Sequence, residues 1–129
     1  MGGNQIFVGS FDEFLRVYDK RDMQKSVHEE KLDGGIWRMS QIRDAASDID
    51  FLGCGLSYSN TFDVFTQLPI AEDKISIAKH WSSPETHKSL AYGLDWYSGV
   101  FPSPTTGKNG SILACCSFYD KLISLNYIF

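Results

Sequence analysis

"GSFDEFLRVYD" (residues 9–19) decides the fold, because the same pattern returns twice further along the chain. The second copy is "LSYSNTFDVFT" (56–66) and the third is "SFYDKLISLNY" (117–127). Each copy contains the end of one strand, a tight turn of polar residues, and an apolar-x-apolar strand. Asp12 and Asp120 occupy the same turn position, and Ser59 replaces the aspartate in the middle copy. A repeated two-strand unit predicts an all-β repeat protein.

The spacing of the copies is typical of a WD40-type β-propeller. Their closing residues, Tyr18, Phe65 and Asn126, lie 47 and 61 residues apart. Residues 98–110, "SGVFPSPTTGKNG", hold two prolines and three glycines, and are interpreted as a surface loop inserted between two strands. Without those 13 residues the second spacing is 48, close to the roughly 40–45 residues expected of a WD blade.

The rest of the chain consists of short apolar runs separated by turn residues, which predict antiparallel strands throughout and no helix. Divided into blades, the chain has a partial blade at 6–32, a complete blade at 36–81, and a last blade at 90–128 without its outer strand. Propellers close with about four to eight blades. Residues 1–129 are therefore predicted to be the C-terminal part of a propeller, about two and two-thirds blades, with unpaired edges on the first and last strands.

Composition narrows the class of protein. With 129 residues, of which 43% are hydrophobic and 14% aromatic, the chain can build one core of β-structure. A net charge of −4 with scattered Lys and Arg argues against nucleic-acid binding. No apolar run is long enough for a membrane span, and the first ten residues lack the pattern of a signal peptide. Three cysteines, two of them adjacent, make neither a disulfide framework nor a CxxC pair, which favours a soluble protein of a reducing compartment.

Four motifs in order make the chain resemble the C-terminal part of the diphthine methylesterase family. They are "GSFDEFLRVYDKRDM" (9–23), "GGIWRM" (34–39), "HKSLAYGLDW" (87–96) and "LACCSFYDKLISL" (113–125). Together they cover most of residues 6–127, and "SFYD" with "YGLDW" is far more specific than a WD dipeptide. The chain departs from the family pattern at Tyr18 and Asn126, where tryptophan is usual.

The resemblance implies a cytoplasmic WD-repeat enzyme without a cofactor. Such a protein hydrolyses the methyl ester of methylated diphthine on elongation factor 2, during diphthamide biosynthesis. The remaining N-terminal blades of the same protein would then be a partner of this chain, and the chain alone is expected to be a fragment without assured activity. The alternative is a non-catalytic WD-repeat scaffold that presents the same face to a protein partner.

Ester hydrolysis needs a nucleophile or activated water, a base and donors for the oxyanion. The chain has no GxSxG nucleophile elbow, and His28, His80 and His87 lack the spacing of a metal site, so no metal is expected. Ser117 or Cys116 is a candidate nucleophile and His87 a candidate base. Asp95 or Asp120 would orient the histidine, and the predicted catalytic set is His87, Asp95 and Ser117. The alternative is that these residues form a buried structural hydrogen-bond network, as is common in WD repeats.

Substrate binding follows from the trimethylammonium group that the resemblance implies. Aromatic faces hold a quaternary cation, and Trp37, Tyr58, Tyr92 and Tyr119 lie near the predicted ligand face, where packing between blades is the alternative role. Arg38, which strand alternation places opposite Trp37, joins Trp37, Tyr92 and Tyr119 in the predicted binding set, with an ion pair between blades as its alternative. Gly34 and Gly35 indicate an unusual turn or a close approach. These residues are expected to converge on one face with the 117–120 turn.

Overall fold

The computed structural model of the chain describes residues 4–44, 49–57, 59–71, 74–84, 87–102, 107 and 109–128. Within them the structure has strands only, and the predicted all-β fold is confirmed. The strands are β1 (Gln5–Gly9), β2 (Phe14–Asp19), β3 (His28–Lys31), β4 (Gly35–Asp44), β5 (Ile49–Ser57), β6 (Thr61–Ala71), β7 (Lys74–Ser82), β8 (Ala91–Pro102), β9 (Asn109–Ser117) and β10 (Ile123–Ile128). None of the described residues forms a helix that could cross a membrane.

The strands form three antiparallel sheets that follow one another along the chain. Sheet 1 has the order β1-β2-β3, sheet 2 the order β4-β5-β6-β7, and sheet 3 the order β8-β9-β10. Neighbouring strands in sequence are neighbours in space, as expected of a meander. In the described part of the chain, β1 and β10 are edge strands. The arrangement is compatible with an open, partial propeller.

Backbone geometry repeats with the sequence motif. The described non-glycine residues with positive φ are Glu13 (76°), Asn60 (55°) and Lys121 (52°). All three hold the same position of the repeat, one residue after Asp12, Ser59 and Asp120. Each residue closes the tight turn between two strands in the left-handed region, which most side chains avoid. The three turns therefore share a left-handed residue at the same position.

Two apolar cores hold the sheets face to face. Sheets 1 and 2 bury one cluster of side chains between them: Leu15, Leu32, Ile36, Leu52, Cys54, Leu56 and Phe65. Sheets 2 and 3 bury the other: Phe51, Phe62, Val64, Ala91, Leu94, Leu113, Cys115 and Ile128. The indole Nε1 of Trp96 adds a polar link between sheets 2 and 3, because it donates to the Ser40 carbonyl at 3.0 Å.

Equivalent residues of the repeat meet different surroundings. In the first copy Leu15 is fully buried, and in the second copy Phe62 takes the same place and is also fully buried. The equivalent residue of the third copy, Ile123, is 72% exposed. The first two face a following sheet, whereas no described residue covers that side of sheet 3.

The predicted loop over residues 98–110 is too long. Residues 98–102 continue β8, and residues 109–110 begin β9, so both ends of the segment are paired. Its prolines suggested a loop, but Pro102 pairs with Asn109 at the end of the ladder, a place where proline is tolerated in sheets.

Candidate functional site

The start of β4 explains the two glycines before Ile36. A Cβ on Gly34 would overlap the carbonyl oxygen of Ser57, and a Cβ on Gly35 would lie 2.8 Å from the Ser57 hydroxyl and 3.0 Å from the Phe11 carbonyl oxygen. The Ser57 hydroxyl also donates to the Gly35 carbonyl at 3.1 Å. Only glycine fits a backbone approach this close.

A β-bulge then turns Trp37 outward. Ile36 pairs with Leu56 and Arg38 pairs with Gly55, so Trp37 is the extra residue between the two pairs. The bulge breaks the alternation that had predicted opposite faces for Trp37 and Arg38, and both side chains are exposed. Bulges re-aim side chains in this way at the edges of functional sites.

Sheet 3 has a second β-bulge at the equivalent position. Ala91 pairs with Ser117 and Gly93 with Cys116, which leaves Tyr92 as the extra residue of a second bulge. In the repeat, Tyr92 of β8 corresponds to Trp37 of β4. The two rings lie beside each other across the junction of sheets 2 and 3, with centroids 6.1 Å apart and planes tilted by 37°.

Two further rings extend this contact into an exposed aromatic row, defined as Trp37, Tyr92, Phe118 and Tyr119. The Tyr92 and Phe118 centroids are 5.2 Å apart, and Phe118 meets Tyr119 edge to face at 4.8 Å. Every ring is largely in solvent, with exposed fractions from 45% for Tyr92 to 74% for Tyr119. A contiguous exposed patch of large aromatic side chains is typical of an interaction site.

Beside the row lies a hydrogen-bond relay, defined as Ser124, His87, Ser117 and Asp120. His87 and Ser117 are buried, Ser124 is half-buried and Asp120 is exposed. The Ser117 hydroxyl donates to Asp120 Oδ1 in a very short bond. His87 Nδ1 lies 2.7 Å from the Ser117 oxygen, and His87 Nε2 lies 2.7 Å from the Ser124 oxygen. Asn126 extends the relay at its other end, since its Nδ2 donates to the Ser124 oxygen at 3.1 Å.

The direction of each bond follows from the charge of Asp120. The hydrogen bonds from the Ser117 hydroxyl and the Lys88 amide hold the pKa of Asp120 below its usual range, so the carboxylate only accepts. Ser117 has one proton and gives it to Asp120, hence the bond between His87 and Ser117 must be donated by the Nδ1–H. Nε2 is then the acceptor for the Ser124 hydroxyl.

Burial keeps His87 neutral in this relay. Its side chain is 5% exposed. Burial lowers its pKa, against the opposing field of the Asp120 carboxylate. The ring also packs edge-on against Phe62 of β6, with centroids 5.1 Å apart. His87 therefore joins sheet 2 by packing and sheet 3 by hydrogen bonds.

The chain segment before β8 is braced against the turn between β9 and β10. The Lys88 amide donates to Asp120 Oδ2 at 2.9 Å, the Tyr119 amide to the Ser89 hydroxyl at 3.0 Å, and the Phe118 amide to the Leu90 carbonyl at 3.2 Å. These three bonds and the relay hold Phe118 and Tyr119 beside Tyr92.

The predicted catalytic residues do not all come together. His87 and Ser117 are in contact, and the carboxylate that joins them is Asp120. Asp95 pairs with Ala114, three residues from Ser117 on β9, which places it about 10 Å away along the strand. Asp95 also lies on the opposite face of sheet 3, where its Oδ1 accepts from the Trp96 amide. Asp120, the other carboxylate that the sequence offered, accepts from Ser117 and from the Lys88 amide, while the two ring nitrogens of His87 contact Ser117 and Ser124.

The binding set Trp37, Arg38, Tyr92 and Tyr119 lies together at one end of the sheets, except that no contact joins the Arg38 side chain to the rings. Tyr58 is outside the described residues. Sequence reasoning missed Phe118, the ring that connects Tyr92 to Tyr119, and Ser124. The signal for Phe118 was its place between Ser117 and Tyr119 in a turn already assigned to the ligand face. The described residues contain no group of three or more His, Cys, Asp or Glu side chains placed to hold a metal ion.

The fold and this site define an all-β repeat protein with an aromatic surface at one end of its sheets. No protein-family model matches the chain. A Dictyostelium discoideum protein named diphthine methyltransferase homolog is 32% identical over 133 residues, which cover 95% of this chain and 31% of that protein. A Schizosaccharomyces pombe protein named diphthine methyltransferase is 29% identical over 123 residues, which cover 95% of this chain and 33% of that protein.

These relatives confirm the relationship that the four motifs predicted: the chain is related to the diphthine methylesterase family. The chain spans about a third of the length of the curated relatives that it matches.

Proposed function

We propose that this chain is part of a cytoplasmic protein of diphthamide biosynthesis, which hydrolyses the methyl ester of methylated diphthine on elongation factor 2. The observation that carries the proposal is the aromatic row, because its rings are exposed and contiguous on the side where the motifs of the family meet. The names of the two relatives, which both contain diphthine, support the same pathway. In the reaction, water adds to the ester carbonyl and methanol leaves, giving a carboxylate and one proton.

The row gives the substrate's trimethylammonium group a place to bind. A quaternary cation is attracted to aromatic faces within about 6 Å of the ring centroid, at about 0.5–2 kcal/mol for each ring. Trp37 and Tyr92 have centroids 6.1 Å apart and tilted planes, so one cation above the notch between them can reach both faces. Arg38 is the exposed neighbour of Trp37, and its guanidinium can bind the carboxylate of the product.

Methanol release from methylated elongation factor 2, measured with the full-length protein, tests this function. Tyr92→Leu removes a ring face, and we expect KM to rise by about tenfold for a loss near 1.4 kcal/mol. Tyr92→Phe is the matched control, because it keeps the face and loses only the hydroxyl. Absence of methanol release by the wild-type protein would contradict the proposal. Binding of the factor without release would instead establish the scaffold function.

The roles of His87 and Ser117 need a separate experiment. A general base must accept the proton of its nucleophile, whereas the Ser117 proton is given to Asp120 and both ring nitrogens of His87 are occupied. This arrangement favours a structural role, and it is also the observation that favours the scaffold alternative. The catalytic assignment of His87, Asp95 and Ser117 stays a prediction.

We expect His87→Ala to lower the melting temperature while kcat of the folded protein remains within about twofold of wild type. The reason is that the variant loses two buried hydrogen bonds and the packing on Phe62, all of which stabilise the fold. Thermal unfolding and kcat are measured on the same preparation. A kcat reduced by about a thousandfold at an unchanged melting temperature would make His87 the base.

A further inference from the structure

We infer that Asp120 is a positioning residue for the aromatic row. Acting through Ser117 and the Lys88 amide, it fixes the turn whose Phe118 and Tyr119 rings complete the row. The inference rests on the proposed function only in taking the row as the substrate's binding surface. It concerns the residue that shapes this surface, not a residue that touches the substrate.

The first step of the argument is the number of bonds that meet at Asp120. One carboxylate oxygen accepts the Ser117 hydroxyl, and the other accepts the Lys88 amide at 2.9 Å. The side chain thus connects the turn to the segment before β8. Charge-assisted bonds of this kind are about twice as strong as neutral ones.

The second step concerns the exposure of the Phe118 and Tyr119 rings. Phe118 is 51% exposed and Tyr119 is 74% exposed, so burial in a core does not fix their positions. Lys121, the next residue after Asp120, is held at a φ of 52°. The turn keeps this conformation because its two sides are tied, by Asp120 on one side and by the amides of Phe118 and Tyr119 on the other.

The third step is the link from the turn to sheet 2. The relay runs from Asp120 through Ser117 to His87, and the His87 ring rests on Phe62 of β6. Trp37 belongs to the same sheet as Phe62. The relay therefore sets the turn of sheet 3 relative to the sheet that carries the first ring of the row, and a preorganised surface costs a ligand less ordering free energy.

The repeat supplies a matched control. Asp12 has the same position in the turn between β1 and β2, and its carboxylate also makes local bonds, to the Phe14 amide at 3.1 Å and to the Arg16 guanidinium at 2.7 Å. No histidine relay includes Asp12 in the described part of sheet 1. Asp12→Ala therefore removes the equivalent turn carboxylate, whose bonds to Phe14 and Arg16 involve no residue of the row.

The experiment uses the full-length protein with Phe and Tyr rings protonated in a deuterated background. We expect Asp120→Ala to lose the nuclear Overhauser effects between Tyr92 and Phe118 and to raise KM for methylated elongation factor 2 by about tenfold, with kcat within about twofold. Asp12→Ala should keep the ring contacts and KM, even if it lowers the melting temperature as much as Asp120→Ala does. Asp120→Asn, which keeps one acceptor oxygen, should give an intermediate KM and serves as the test if Asp120→Ala does not fold.

Ring contacts and KM that are the same in the Asp120 variants and in the wild type would overturn the inference. Equal losses in Asp120→Ala and Asp12→Ala would also overturn it, because the effect would then reflect stability alone. The ring contacts are measured without substrate, so failure of the proposed function is distinguishable. In that outcome the wild-type protein releases no methanol, while loss of the contacts in Asp120→Ala still supports the positioning role.

Discussion

At the scale of single residues, charge and burial decide what His87 does. Its ring is almost fully buried between a serine on each nitrogen and a phenyl ring. A neutral imidazole with one N–H and one lone pair satisfies both contacts, whereas an imidazolium has no lone pair left to accept the Ser124 hydroxyl. The hydrogen bonds of the relay therefore favour the neutral form of the His87 ring.

The lowered pKa of His87 predicts a pH dependence of stability. The unfolded chain takes up the His87 proton below about pH 6.5, whereas the folded chain takes it up only at lower pH, because burial disfavours the charged ring. The free energy of unfolding should therefore be highest above that pH and fall as the pH drops toward 5, by at most about 1.4 kcal/mol per pH unit. Chemical denaturation at several pH values measures this slope.

His87→Gln should flatten the slope between pH 7 and 5. The Asp120 carboxylate acts in a different range, since a lowered pKa costs stability only below about 3.8. An unaltered slope in His87→Gln would mean that another group controls acid unfolding.

Residues also show where sequence reasoning stops. The pattern predicted Trp37 and Arg38 on opposite faces, since strand side chains alternate. The bulge depends on the register between β4 and β5, and that register comes from tertiary pairing. Likewise, the sequence offered both Asp95 and Asp120 as partners of His87, and only the pairing of β8 with β9 shows that Asp95 lies opposite Ala114, three residues along the strand from Ser117.

At the scale of elements, the repeat was the most informative part of the sequence. Together with the apolar runs it predicted antiparallel strands and no helix, and the described residues form strands only. The three equivalent turns with positive φ at Glu13, Asn60 and Lys121 show that the copies are equivalent in backbone as well as in sequence. Proline and glycine content misled the assignment at residues 98–110, because the edge of a ladder tolerates residues that its centre does not.

The glycine pair before β4 leads to a prediction at this scale. A Cβ on Gly34 meets the backbone of Ser57, which belongs to the paired strand and cannot turn aside. We expect Gly34→Ala to destabilise the protein by about 1–3 kcal/mol, the range for overpacking. Equilibrium denaturation gives the difference in the free energy of unfolding.

Gly53→Ala is the control for this substitution in the same sheet. Its Cβ would lie 3.4 Å from Leu94 and 3.5 Å from Trp96, which is close to ordinary contact. We expect a change of about 1 kcal/mol or less, since alanine also restricts the unfolded chain. Equal losses at the two positions would contradict the account of Gly34 as a site of close backbone approach.

At the scale of the whole molecule, the repeat indicates an uncovered face. Leu15 and Val17 in the first copy, and Phe62 and Val64 in the second, are fully buried. Leu15, Phe62 and Val64 belong to the cores that their sheets share with the next sheet. Their equivalents on β10, Ile123 and Leu125, are 72% and 69% exposed. The residues are apolar in all three copies, and only the third lacks a covering sheet among the described residues. An apolar face beside a free strand edge favours association.

The last prediction concerns Leu125 in two settings. In the 129-residue chain we expect self-association at micromolar concentration, and Leu125→Lys should reduce it because a lysine on an edge strand opposes pairing. Val27→Lys, at an exposed position outside the strands, should leave association unchanged. Sedimentation velocity measures both variants.

In the full-length protein the same Leu125→Lys substitution should destabilise the fold. We propose that the remaining blades place a sheet over this face, as sheet 2 covers Leu15 and sheet 3 covers Val64. A lysine there buries a charge, and we expect a loss of about 2 kcal/mol or more in the free energy of unfolding, because a desolvated charge needs a partner. A neutral effect in the full-length protein would mean that the face stays open to solvent. The third copy would then share the turn geometry of the other two copies but not their burial.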